Sequence, residues 1–372
     1  MHRLHSTVEV GGTQTNRRLV VRKKAPKLAP DIPALSYISR MNQVLAFIRL
    51  LRLHNLVIVF LTQFVPYWFA LRPAILRANG IPVLTARTFG LISAATVLTT
   101  LAGYVLNDYY DRDIDAINKP GRRFWGQYLP APMALTVYSA LVIVVHGLAF
   151  LIDRELRPSN HWPLWVFPAV SFLLFLYAWQ LKCTAVIGNF LVSFLCGVVP
   201  VIMLLPEERP VWLTSFIQPE EVHKAVALVW LYGIFAFFTN LLREQVKDLE
   251  DFQGDSACGC ATLAVLKGPR FARKPAGFTA LVVTALIGGL LYFWQQTGAP
   301  DWQIVAGAML LLLPALFSTV AIYRAQVKKD FSRASMLIKI IMFAGVFLLL
   351  RSWPGNPLEV VESFKSYITE RH

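Results

Sequence analysis

Nine stretches of the chain stay apolar for close to twenty residues at a time, near 50–71, 89–108, 133–152, 163–181, 185–205, 224–243, 276–295, 302–323 and 335–352. At 1.5 Å of rise per residue each is long enough to cross about 30 Å of hydrocarbon, and a helix keeps its amides paired while doing so. The expected fold class is all-α, a polytopic membrane bundle of nine transmembrane helices. Residues 44–352 form the expected membrane domain. Residues 1–43 are polar, basic and proline-containing with no apolar core, so they read as a disordered cytosolic arm rather than a leader. Residues 353–372 read as a short polar tail.

Composition agrees with that pattern. Of 372 residues, 56% are hydrophobic and only 16% charged, too little charge for a soluble protein of this length. The net charge of +14 raises nucleic acid as a partner. The basic residues fall in the arm and in short loops between apolar runs, however, which is a topology signal, and no nucleic-acid role is expected. With the N-terminus placed in the cytosol, 24 Lys and Arg fall on the cytosolic side and 10 on the other. The expected location is therefore a multi-pass position with a cytosolic N-terminus, in a bacterial inner membrane.

Two of the apolar runs end in the same acidic spacing. Asp108, Asp111 and Asp115 lie at i, i+3 and i+7, and so do Asp248, Asp251 and Asp255 about 140 residues later. On a continuous helix each trio covers an arc of roughly 60°. Asp113 and Glu250 fall on other faces and read as solvated. Stacked like charges repel, so such a face gains nothing by itself and becomes favourable only against a hard cation with oxygen ligands, Mg²⁺ above all. An even number of crossings separates the two runs, so both acidic ends meet the same side of the membrane. Ionisable groups clustered there are functional by default.

Basic residues accompany both trios. Lys119 and Arg122 follow the first, Arg243 and Lys247 precede the second, and Lys182 is the single charge in a turn between two long apolar runs. Each alone reads equally well as a topology determinant, an i,i+4 partner or a snorkelling anchor. Together with metal-binding carboxylates they suit a polyanion such as a diphosphate. Asn55 at the mouth of the first helix is a candidate for touching that substrate, and Asn189 reads more naturally as glue between helices. Cys183, Cys196, Cys258 and Cys260 form no CxxC pair, and Cys258-Gly-Cys260, with no partner pair elsewhere, reads as unremarkable small residues.

The NDxxDxxxD stretch at 107–115, the Asn118-Lys119-Pro120 after it, Leu181-Lys182 with Gly188-Asn189, and the stretch from Lys247 to Asp255 resemble the UbiA superfamily of intramembrane prenyltransferases. The resemblance covers about residues 45–350, in the family's order. It implies nine helices around a central cavity and Mg²⁺-dependent transfer of a polyprenyl group from a polyprenyl diphosphate donor to a lipophilic acceptor among the membrane lipids. It also implies catalytic roles for Asp111, Asp115, Asp251 and Asp255, and metal binding by these with Asn107, Asp108 and Asp248. Lys119, Lys182 and Lys247, with Arg122, Arg243 and Asn55, become candidates for holding the diphosphate. The Arg243-Glu244-x-x-Lys247-Asp248 form is similar to members grouped with geranylgeranylglyceryl phosphate prenyltransferases. An aromatic, quinone-precursor acceptor is the alternative, and a divalent-cation transporter the alternative of another class. The motif of membrane phosphoalcohol transferases is absent, and nine spans argue against a soluble prenyl-diphosphate synthase.

Overall fold

A computed structural model describes residues 52–118, 125, 129–296 and 300–350, with side chains to Val346. The arm at 1–43 and the tail at 353–372 lie outside the described residues. The first helix, α1, runs from Leu53 to Arg77 with a π-helical turn at Tyr67–Leu71 just after Pro66, where the proline removes a donor from the ladder. Then follow α2 (Ala86–Tyr110), α3 (Arg112–Asn118), α4 (Ala131–Leu156), α5 (Trp162–Trp179) and α6 (Ile187–Val201). The rest is α7 (Glu208–Thr214), α8 (Pro219–Glu250), α9 (Phe252–Ala257), α10 (Leu263–Lys267), α11 (Pro269–Gln296), α12 (Asp301–Arg324) and α13 (Lys328–Leu350).

Among the described residues, eight helices are long and apolar enough to cross a membrane. They coincide with the first eight apolar runs, and α13 covers the ninth up to Leu350. The sixth run, read as 224–243, extends to Pro219–Glu250 because amphipathic turns at both ends continue the helix past its apolar middle.

Two apolar cores fix the bundle. One joins α1, α2, α4, α5 and α8 through residues such as Leu71, Ile92, Val145, Trp162 and Val229. The other joins α8, α11, α12 and α13 through Leu242, Val283, Leu311 and Ile338. The long α8 belongs to both. Its tightest partner is α6, and the reason is local: a Cβ on Gly233 would lie 2.7 Å from the carbonyl of Gly197, and one on Gly197 3.0 Å from that of Gly233. Small residues at the crossing let two backbones touch where lipid offers no hydrophobic driving force.

At one end of the bundle Glu207 pins the connections. Its Oε1 accepts from the Tyr67 hydroxyl at 2.8 Å and the Leu84 amide at 2.9 Å, and its Oε2 from the Val83 amide at 2.9 Å. Burial raises its pKa above the ordinary carboxylate value, while those donors and Arg72 oppose the shift. The acidic motifs occupy the other end.

Candidate active site

Neither motif lies on one unbroken helix. Each is bent at its middle aspartate: α2 stops at Tyr110 and α3 begins at Arg112, while α8 stops at Glu250 and α9 begins at Phe252. The two copies bend alike. Asp111 and Asp115 donate their amides to the carbonyls of Asn107 and Asp111, at 2.9 and 2.7 Å. Asp251 and Asp255 donate to Lys247 and Asp251, at 2.8 and 3.1 Å. A helix C-terminus carries partial negative charge and aspartate is a poor helix former, so a cluster of carboxylates there needs cations nearby.

Asp111, Asp115, Asp248, Asp251 and Asp255 line one small cavity, shared with Lys182 and Lys247. Asp108 is absent from its wall and pairs with Arg52 at the start of α1, while its counterpart Asp248 stays on the wall. Asn107 donates its amide to Asp111 Oδ2 at 2.9 Å. Lys182 forms an ion pair with the same oxygen of Asp111. Asn189 donates to Asp248 Oδ2 at 2.7 Å, so it is indeed interhelical glue, between α6 and the second motif.

The tips of the motifs are clasped to one another. Asn118, at the end of α3, donates to the Asp251 carbonyl at 2.9 Å and accepts from the Gly254 amide at 3.0 Å. Lys328 of α13 in turn donates to the Asn118 carbonyl at 2.7 Å. A disulfide between Cys183 and Cys260, with Cα atoms 4.6 Å apart, ties the turn bearing Lys182 to the loop following Asp255. This corrects the reading of Cys258-Gly-Cys260 as unremarkable, since Cys260 has a partner in Cys183. They stand 77 residues apart in the chain and meet only because both loops border the same cavity.

A second, larger chamber lies alongside. Its body is apolar, with walls from α1, α2, α5, α6 and α8 that include Val59, Leu174, Val192 and Leu195, and with Val166, Phe167 and Ile202 at its far end. Its polar end holds Arg52, Tyr104, Asn107, Asn240, Arg243, Glu244 and Lys247. Tyr177, Glu244 and Lys247 border both spaces and form the wall between them. Glu244 accepts from Arg243 Nη1 at 2.8 Å and from the Tyr177 hydroxyl at 3.5 Å.

Several candidates therefore sit elsewhere than expected. Arg243 borders the apolar chamber and not the carboxylate cavity. Asn55 borders neither space. Lys119 and Arg122 lie outside the described residues. Glu244 and Asn118 escaped the sequence reading as site residues. A signal for Glu244 existed, since it precedes Asp248 by four residues and shares its helix face.

The donor set around the smaller cavity is chemically that of a hard divalent cation: six carboxylates, counting Glu244, against two lysines. Among the described residues no three acidic, histidine or cysteine side chains converge as ligands in their present positions, with Lys182 occupying Asp111. Burial and then Asp251 push the pKa of Asp255 up to about 6. Burial also pushes on Asp111, but Lys182 and Lys247 outweigh it and hold that carboxyl below its ordinary value.

A helical membrane bundle in which two acidic helix tips close over one small cavity, beside a long apolar chamber, defines an intramembrane enzyme for substrates with a charged head and a greasy tail. Residues 64–350 match the UbiA prenyltransferase family, and the chain belongs to it. It is 32% identical over 285 residues, 74% of this chain and 92% of the relative, to the digeranylgeranylglyceryl phosphate synthase of Methanothermobacter thermautotrophicus. Identity to the enzyme of the same name from Thermococcus kodakarensis is 30% over 312 residues, 82% of this chain and 96% of that one. The fold is also that of a solved structure described as a digeranylgeranylglyceryl phosphate synthase in membranes, with a TM-score of 0.54 and 21% identity, covering 83% of this chain and 98% of that one.

The protein is thus a multi-pass membrane prenyltransferase, and the reading as a cation transporter falls. Both named organisms are archaea, so these relatives lend no support to the expected bacterial inner membrane.

Proposed function

We propose that the protein transfers a polyprenyl group from a polyprenyl diphosphate to the free hydroxyl of a glyceryl phosphate ether lipid, with Mg²⁺ as cofactor. The observation that carries this reading is the shared wall of Tyr177, Glu244 and Lys247 between a carboxylate cavity and an apolar chamber. A donor whose diphosphate enters the first and whose tail fills the second has its C1–O bond at that wall. Names borne by the archaeal relatives support the glyceryl phosphate class of acceptor.

Asp111, Asp115, Asp251 and Asp255, with Asn107 and Asp248 beside them, would hold Mg²⁺, which would supply positive charge to steady the leaving diphosphate. Lys182 and Lys247 neutralise the rest of the diphosphate. Lys119 and Arg122 are assigned to the same anion by position in the motif. As the C1–O bond breaks, its electron pair leaves with the diphosphate. The acceptor oxygen then bonds to C1 and its proton is released. The apolar walls keep water from competing for the allylic cation. By charge count in the loops, the carboxylate end and the N-terminus face the cytosol.

The test replaces Asp111 and Asp251 separately with Ala and assays transfer in membranes from geranylgeranyl diphosphate. Acceptors would be a prenylglyceryl phosphate, its dephosphorylated alcohol and an aromatic acid. Loss of transfer by at least about 100-fold in each variant is the expected result. Wild-type turnover in either defeats the site assignment, and wild-type transfer to the aromatic acid alone defeats the acceptor assignment.

A further inference from the structure

A glycerol hydroxyl becomes an ether only by losing its proton, and a group placed to take that proton speeds the step. Such a group has to stand beside the C1–O bond, on the acceptor's side of it. Among the described residues lining the apolar chamber there is one carboxylate, Glu244, and no histidine. The cations Arg52, Arg243 and Lys247 beside it carry their protons already, and the phenols of Tyr104 and Tyr177 hold theirs at neutral pH.

We propose that Glu244 is the general base of the transfer, taking the acceptor's hydroxyl proton as its oxygen bonds to C1, an assignment that rests on the alcohol acceptor proposed above.

Its place on α8 supports the role. Asn240, Glu244 and Asp248 recur every four residues and share one face of the helix. Asn240 lines the chamber, Asp248 the carboxylate cavity, and Glu244 both. A polar track thus runs from the acceptor's space to the diphosphate's, with Glu244 at the crossing. Helix α6 fixes both ends of the track. Asn189 donates to Asp248 Oδ2 at 2.7 Å, and the Asn240 amide donates to the Ser193 hydroxyl at 3.3 Å. Ser193 in turn donates to the Asn189 carbonyl at 2.6 Å.

Glu244 is held in place without being saturated. Arg243 gives Nη1 to Oε1 at 2.8 Å, and the Tyr177 hydroxyl reaches Oε2 at 3.5 Å. A carboxylate offers about four lone-pair sites, so each oxygen keeps one for an acceptor hydroxyl. The Tyr177 contact is at the limit of a hydrogen bond, and a substrate hydroxyl can take its place. The five aspartates of the cavity lie beyond the shared wall and are assigned to the cation.

The C1–O bond to the diphosphate breaks, and its electron pair leaves with the diphosphate. The acceptor oxygen bonds to C1 and keeps the electrons of its O–H bond, while the proton passes to a Glu244 oxygen. Nothing is oxidised or reduced. Because Glu244 also borders the cavity, its proton leaves on that side once the diphosphate departs.

The experiment uses the full chain in nanodiscs with Mg²⁺ and geranylgeranyl diphosphate carrying heavy oxygen at the bridging position. The acceptor is geranylgeranylglyceryl phosphate with either its free hydroxyl or a thiol in its place. Glu244→Gln keeps the shape and an oxygen for Arg243 but is no base. Transfer to the hydroxyl is expected to fall by at least about 100-fold, chiefly in kcat, with the donor KM and Mg²⁺ requirement within about threefold of wild type. Transfer to the thiol, which ionises far more readily than an alcohol, should fall by less than about tenfold. Migration of the label to non-bridging positions, which reports breaking of the C1–O bond, should persist. Glu244→Asp should recover part of the hydroxyl rate.

Equal losses with the two acceptors overturn the proposal and make Glu244 a structural residue. Wild-type transfer to the hydroxyl overturns it in favour of the departing diphosphate as base. A raised donor KM or Mg²⁺ requirement overturns it as well and puts Glu244 with the metal. If Glu244→Gln fails to fold, Arg243→Gln/Glu244→Gln removes the ion pair together and is read by the same ratio of thiol to hydroxyl transfer. Wild-type protein that transfers to neither glycerol acceptor instead strikes the acceptor reading itself.

Discussion

Asn118 and Gly254 are in direct contact across the two motifs: the asparagine Oδ1 accepts from the glycine amide at 3.0 Å, with no room for a side chain at the glycine. A Cβ there would run into the Asn118 amide. The first motif thus reads the backbone of the second. Both helix tips are held at one spacing before any substrate arrives.

Gly254→Ala should therefore open the clasp. Expected are a loss of about 1–3 kcal/mol in stability and a clear fall in transfer rate, since a buried amide loses its partner as the tips part. Asn118→Ala should act in the same direction. Melting curves in detergent and initial rates for both variants check this, and a Gly254→Ala protein that melts and turns over like wild type refutes the clasp.

The disulfide between Cys183 and Cys260 should stabilise the cap of the carboxylate cavity. It closes a loop of 77 residues, so its loss through Cys183→Ser is expected to cost about 2–4 kcal/mol. Cys258 is exposed and unbonded, and Cys258→Ser should leave the melting point where it was. Peptide mapping under non-reducing conditions would show a linked 183–260 pair, and finding both thiols free would remove the prediction.

Neighbouring acids in one motif should behave differently. Asp115 lines the carboxylate cavity, while the Asp113 side chain is 81% exposed and off its wall. Asp115→Asn is expected to lower transfer by at least about tenfold and Asp113→Asn to change it little. Equal losses in the two would mean that net charge, not placement, matters at this tip.

Glu207 gives a pH dependence with a defined sign. Its folded pKa is raised above the ordinary 4.5, so the folded protein binds the proton more tightly than the unfolded chain does. Stability from this group is present below pH 4.5 and is lost as pH rises through the folded value. In Glu207→Gln that slope should vanish, and the variant should be less stable because an amide nitrogen cannot accept from Tyr67, Val83 and Leu84 as two oxygens do. Melting points measured across pH 4 to 8 for both proteins test the sign.

Much of the architecture was legible in residue order. All nine apolar runs coincide with helices, because a hydrophobic stretch of membrane length has few other ways to satisfy its amides. Crossing parity put the two motifs on one side of the membrane, and the structure brings them to one cavity. What failed was the assumption of straight helices through the aspartates. Each helix breaks at its middle aspartate, Asp111 and Asp251, and periodicity carries no signal for a break of one residue. The partners of Arg243 and Cys260 were equally hidden. Glu244 is adjacent to Arg243, but which space the pair faces depends on how α6 and α8 cross at Gly197 and Gly233. Cys183 becomes a partner only after two loops 77 residues apart close over the same cavity.

The apolar chamber has a floor. From Tyr177 at the shared wall to Val166 on α5 is eleven residues, or about 16 Å of helix. Phe167 and Ile202 line the same end. A space bounded at one end by the reacting bond and at the other by a ring works as a ruler: it measures the hydrocarbon tail threaded into it. Trimming Phe167 should lengthen the scale and let longer isoprenoids register, while bulk added at Val166 should shorten it.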